Sequence, residues 1–255
     1  ASDVYKRQGI YRLIDYTGAL TDNGLVIGAV PGSVLPSDLQ LQTAIGAQVN
    51  LLVGGANGSV LFWDGSNTVS DGVIQGGSGT WDALSSNWTT VNGTGNRDWS
   101  SNFAVFQTPA GTVTVSGTQV LTGMQFTVDG YVLDGPGALQ LVNNSAGNAT
   151  FRVDPSATAT LNVGLTGSGV LNKVDAGTLV LNGANSYTGG TLLNGGTLVL
   201  GNDAALGNGT LVTAANTTLD SNTAVTLANN VGTLGVLNLT GSNALTLNGQ
   251  VSGSG

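Results

Sequence analysis

Asp is the only carboxylate in this 255-residue chain. Fourteen Asp stand against six Lys and Arg, with no Glu, His or Cys. Ser-His-Asp and Cys-His nucleophile systems therefore cannot be assembled within it. Zinc, haem and iron–sulfur centres lose their usual ligands, so no metal or cofactor is expected. What remains is acid/base work by paired Asp, as in enzymes that flank a glycosidic bond with two carboxylates. No D-D or D-x-D cluster occurs. Asp129 and Asp134 come closest, and each precedes a glycine, as turn formers do. Residues about 20 apart can also meet if the chain stacks in turns. A groove enzyme would bring two such Asp beside Arg97, Arg152 or Lys173, with a perturbed pKa. The expectation is that no such constellation forms and that no residue is catalytic.

Aromatics offer the other chemistry. Trp63, Trp81, Trp88 and Trp99 fall within 37 residues. As a ligand site, Trp81, Trp88 and Trp99 would stack on sugar rings from a projecting loop. As structure, they would anchor long turns onto the scaffold, and this reading is preferred because large aromatics dominate local packing. Gly76–Asp82 (GGSGTWD) approaches a calcium-binding nonapeptide, but Trp81 takes the position that the motif gives to Asp.

The elements that must position these residues are strands. Gly (41), Asn (25) and Thr (31) make up 38% of the chain, and charged residues only 8%. Strong helix formers other than Leu and Ala are nearly absent. Hydrophobic content of 40% supplies enough apolar surface for a core. GTLVL occurs at Gly177–Leu181 and again at Gly196–Leu200, an offset of 19 residues. A looser echo links Thr160–Gly169 to Thr246–Gly255, at an offset of 86 that reads as four turns. Leu-Asn recurs where alternating runs give way to turns. Within the runs the period is two, so Leu179, Leu181, Leu198 and Leu200 should point inward, with Thr178, Val180, Thr197 and Val199 outward. Four-residue strands with one apolar face form a core only by stacking, which predicts an all-β parallel β-helix with an axis on the order of 50 Å. Membrane barrels need strands of about ten residues and aromatic girdles, and neither is present. Net charge of −8 offers no patch for nucleic acid. Nothing approaches the ~18 apolar residues of a spanning helix.

The segment 169–207 (GVLNKVDAGTLVLNGANSYTGGTLLNGGTLVLGNDAALG) resembles the autotransporter-associated β-strand repeat of bacterial passenger domains. The part 177–201, with its GANSYTGGT turn, is the most specific. Tyr11–Tyr16, Phe62-Trp63-Asp64-Gly65 and the stretch 76–106 are similar to the same proteins. The resemblance implies a right-handed parallel β-helix, exported by type V secretion to a Gram-negative cell surface or beyond it. It further implies a virulence-associated passenger attached to its own C-terminal membrane barrel, with host or neighbouring-cell surfaces or glycans as partners.

Residues 1–8 match nothing that follows and resemble a non-native scar, and both ends look cut. The expected division is an N-terminal β-helix part with Trp-rich loops at 9–106, then a β-helix carrying the repeats at 107–255. The expected function is a structural stalk for display, serving adhesion or self-association. The alternative is a polysaccharide lyase or hydrolase using surface Asp.

Overall fold

The computed structural model describes residues 8–21, 23–30, 35–54, 60–100, 103–241 and 243–253. The suspected scar, apart from Gln8, lies outside them. Among the described residues there is no α-helix, only a 3-10 turn at Pro36–Asp38.

Alternating runs between glycine-rich turns become strands that stack. Before the stack comes an antiparallel sheet of β1 (Gly9–Asp15), β2 (Leu39–Gln42) and β3 (Gln48–Val53), with β3 central. The stack itself begins with β4 (Val60–Trp63) and β5 (Gly79–Trp81), followed by the short β6 (Trp88–Thr89) and then β7 (Phe103–Phe106). One face is a ten-stranded sheet running from β6 and β4 through β7 to Val251–Gly253. A second face has eight strands, from β5 to Leu237–Leu239. A third is formed by Thr118–Leu121, Ala138–Leu141 and Gly164–Gly167, and farther along by Val225–Leu227 with Leu245–Leu247. Neighbouring strands from β7 onward pair in parallel, as a β-solenoid requires.

The 19-residue echo is one turn of this solenoid. Thr178 pairs with Thr197, Leu179 with Leu198, Val180 with Val199 and Leu181 with Leu200. All four leucines are fully buried, and their Thr and Val neighbours are partly exposed. The 86-residue echo has no such meaning. Thr160 lies on the eight-stranded sheet between Val132 and Val180, whereas Thr246 pairs with Thr226 on another face. Turn residues recur on every face, so similarity between turns need not mark equivalent positions.

The solenoid is also shorter than expected. The longest face stacks nine parallel strands, from β4 to Val251–Gly253, which give eight spacings, or about 38 Å. Within the part 9–106, expected as β-helix, β1, β2 and β3 form the antiparallel sheet. That sheet lies against the outer face of the ten-stranded sheet and encloses a second core of Ile10, Ile45, Leu52, Val60, Phe62, Ile74, Phe103 and Val105. This explains why β7 is buried on both faces.

Candidate functional site

Two places gather chemistry-bearing residues. The first lies where β1 crosses the ten-stranded sheet. Along the sheet's outer face Phe62, Val105, Gln125 and Arg152 stand one above another in register. The first two are apolar and belong to the second core. The next two are polar and meet the backbone of β1. Gln125 Oε1 accepts from Ile10 N at 2.8 Å, and Gln125 Nε2 donates to Ile10 O at 2.9 Å. A side-chain amide thus satisfies one residue's donor and acceptor together, as a neighbouring strand would. Gly9, at φ +129°, makes this approach possible, because a Cβ there would lie 2.2 Å from Gln125 Oε1.

Arg152 extends the junction. Its Nε donates to Asp175 Oδ2 at 2.7 Å, its Nη1 donates to Gln8 O at 3.2 Å, and its guanidinium lies 4.2 Å from the centroid of the Tyr11 ring. Gln125 Nε2 also donates to Asp154 Oδ1 at 2.9 Å. A crevice of about 320 Å³ opens here, lined by Tyr11, Arg12, Arg152, Asp154, Pro155 and Asp175 among others. Burial pushes the Asp154 carboxyl above its usual range; the Gln125 hydrogen bond and the Arg152 charge oppose this, while Asp175 adds to it.

Two aspartates and an arginine therefore do converge in a crevice, and one carboxyl is perturbed, contrary to the expectation of scattered single Asp. The pair is 21 residues apart in sequence, the spacing at which successive turns place residues side by side. Their bonds are structural ones, since Asp175 is paired with Arg152 and Asp154 is held by Gln125. Lys173, one of the three cations a groove enzyme could have used, is in the core. Strand alternation puts it inward between Phe151 and Leu193, fully buried. Its Nζ donates to Val174 O at 3.0 Å, Asp175 O at 2.9 Å and Gly195 O at 3.0 Å. Burial lowers its pKa to about 8, against the pull of Asp175.

The remaining aspartates that drew attention in the sequence hold turns. Asp129 Oδ1 accepts from Thr158 N at 2.8 Å, one turn on, and Asp134 Oδ1 accepts from Gly135 N at 2.7 Å. Asp82 Oδ1 accepts from Leu84 N and Ser85 N, and these bonds keep its pKa low. Among the described residues no three Asp cluster as metal ligands.

The second place is the tryptophan group. Strand β6 pairs antiparallel with β4 and closes the first edge of the ten-stranded sheet. It carries Trp88 onto Trp63, with ring centroids 5.1 Å apart, and onto Trp81 at 4.8 Å. Trp99 lies 4.5 Å from Trp88, and its Nε1 donates to Val120 O at 2.7 Å. Trp63 Nε1 donates to Gly77 O at 2.8 Å. Trp63, Trp81 and Trp88 have no exposed surface, and Trp99 is half-buried. Rings packed in this way leave Trp81 and Trp88 no face on which a sugar could stack. Together they plug the first end of the solenoid core.

Comparison with known proteins sets these features in context. Residues 171–200 match the family model described as passenger-associated-transport-repeat. Over 198 residues, 72% of this chain, the sequence is 44% identical to a Brucella suis biovar 1 (strain 1330) protein called adhesin BmaC autotransporter. The chain spans only 6% of that protein's length. No solved structure matches.

Proposed function

We propose that this chain, an autotransporter passenger segment built on the passenger-associated transport repeat, is a rigid stalk that holds binding surfaces away from a Gram-negative cell. The stacked register Thr178–Leu181 over Thr197–Leu200 carries this reading, because identical turns give stiffness and reach without a catalytic cleft. Its use is adhesion or self-association, with host or neighbouring-cell surfaces or glycans as partners and a C-terminal barrel of the whole protein as its anchor. Trp81, Trp88 and Trp99 serve the architecture.

A polysaccharide-cleaving role would draw on the crevice at Asp154 and Asp175. Two carboxylates must then act on one bond as acid and base or nucleophile, whereas Asp175 is tied to Arg152 and Asp154 to Gln125. The chain is accordingly read as non-enzymatic. The test is adherence of cells displaying the whole protein with and without residues 60–253. At equal display, loss of adherence supports the stalk. Undiminished adherence, or release of reducing or unsaturated sugar by the purified chain, defeats it.

A further inference from the structure

Among the described residues, the hydrogen bonds from β1 and Gln8 to the solenoid all run through solenoid side chains, those of Gln125 and Arg152. Among the described residues no sheet includes strands from both, and no main-chain hydrogen bond joins residues 8–54 to residues 60–253. The sheet has its own apolar cluster on its far side, Leu39, Leu51 and Val53 with Tyr11, Ile27 and Val30. It is thus a discrete module seated in a groove. The groove is specific for it. Val60, Phe62, Phe103 and Val105 meet Ile10, Ile45 and Leu52, and at one rim Gln125 binds both backbone groups of Ile10. Six residues, 54–59 (GGANGS), connect module and groove.

We propose that this groove also accepts the N-terminal sheet of a second copy of the chain, giving pairs linked by exchange of that sheet. The occupant follows from the contacts. Whatever fills the groove must supply a glycine able to adopt φ +129° against Gln125 and Arg152, an unpaired backbone at the next residue, and the three apolar side chains. The chain's own module meets all of these terms, and an identical module from a neighbour meets them equally. Exchange changes no contact, so the balance between closed single chains and linked pairs is set by concentration and by the connection. Six residues span at most about 20 Å. Shortening them penalises closure within one chain and favours exchange. Chains crowded on a surface would be tied side by side through their stalks. The proposal gives a mechanism to the self-association part of the functional reading and rests on it.

The full 255-residue chain contains no Cys, so a single pair of cysteines reports the arrangement. Arg12 and Ala176 line the same crevice, one on each partner, and Arg12→Cys and Ala176→Cys leave Gln125 and Arg152 intact. The two single variants are unfolded together, refolded in equal amounts and treated with a short bismaleimide. The expected result is a mixed cross-linked dimer, with a dimer fraction at least tenfold higher when residues 55–58 are deleted from both chains. The doubly substituted chain should cross-link within itself. Internal cross-linking without any mixed dimer, even in the shortened chains, overturns the proposal. Absence of internal cross-linking overturns the docking geometry on which it depends. Neither outcome touches the stalk reading, which is judged by adherence of displayed cells.

Discussion

Asn182 and Asn222 bond to each other across an intervening turn of the solenoid: Asn222 Nδ2 donates to Asn182 Oδ1 at 3.0 Å. Between them sits Gly201, the turn-equivalent position that carries Asn162, Asn182 and Asn222 elsewhere in the stack. Asn182 continues the ladder by donating to Asn162 Oδ1 at 2.9 Å. A Cβ at Gly201 would lie 2.1 Å from Asn182 Oδ1 and 2.8 Å from Asn222 Oδ1. The glycine is needed here for space, because it lets the amides skip a rung.

Gly201→Ala should therefore displace both amides and cost about 1–2 kcal/mol, the worth of one or two hydrogen bonds. Urea unfolding measures it. Asn182→Ala combined with Gly201→Ala should cost less than the sum of the two, since one ladder is lost once. Full additivity would show that the ladder contributes nothing.

Leu198 and Val199 are adjacent but face opposite ways. Leu198→Ala should cost about 2–5 kcal/mol as a cavity in a packed core, and Leu198→Asp more, because it buries an unpaired charge. Val199→Thr, on the partly exposed face, should stay within about 0.5 kcal/mol. Equal effects at the two positions would place the strand in the wrong register.

Lys173 predicts an unusual rise of stability with pH. Its pKa is about 8 folded, against 10.5 as its ordinary value. Between these values the unfolded chain binds a proton that the folded chain has released. Stability therefore increases as pH rises from about 8 toward 10.5, by about 3 kcal/mol if the whole window is crossed. Tyr131 and Tyr187, pushed upward by burial, act oppositely above about 10, where only the unfolded chain ionises. Lys173→Met keeps the tyrosines and removes the lysine. The stability difference between the two chains should shift steadily in favour of Lys173 from pH 8 to 10, read from urea midpoints. A pH-independent difference would rule out a depressed lysine.

Gln125→Leu tests the junction with β1. The Ile10 amide and carbonyl lose their partner, and hydrogen exchange at residues 9–15 should quicken at least tenfold while the strands at 178–200 remain protected. Unchanged exchange at Ile10 would mean that the apolar cluster alone holds the sheet.

The stacking of the leucine strands was legible because Thr178–Leu181 and Thr197–Leu200 repeat both residue type and alternation, and each residue's facing follows from its neighbours. The sheet of β1, β2 and β3 was not, since alternation identifies a strand but not its partner, and β1 pairs with β3, which is distant in sequence, rather than with β2, which follows it. The convergence of Asp154 and Asp175 was hidden until the length of that particular turn was known. Lys173 had a readable signal. In Leu171-Asn172-Lys173 the period of two puts the lysine on the same side as the leucine, but the charge suggested solvent. Three backbone carbonyls override that preference: those of Val174 and Asp175, next along the chain, and that of Gly195, 22 residues on, which the sequence does not visibly bring close.

Thr178–Leu181 and Thr197–Leu200 present the same faces above and below, so nineteen residues form an exchangeable unit of length. An in-frame duplication of that unit keeps the Thr178–Leu181 strand on a strand of the same sequence and lengthens the molecule by about 4.8 Å. No such freedom exists at the plugged end, where Trp63, Trp81, Trp88 and Trp99 each occupy a place of their own. Length can therefore be added in the repeats without disturbing the packed rings that close the other end.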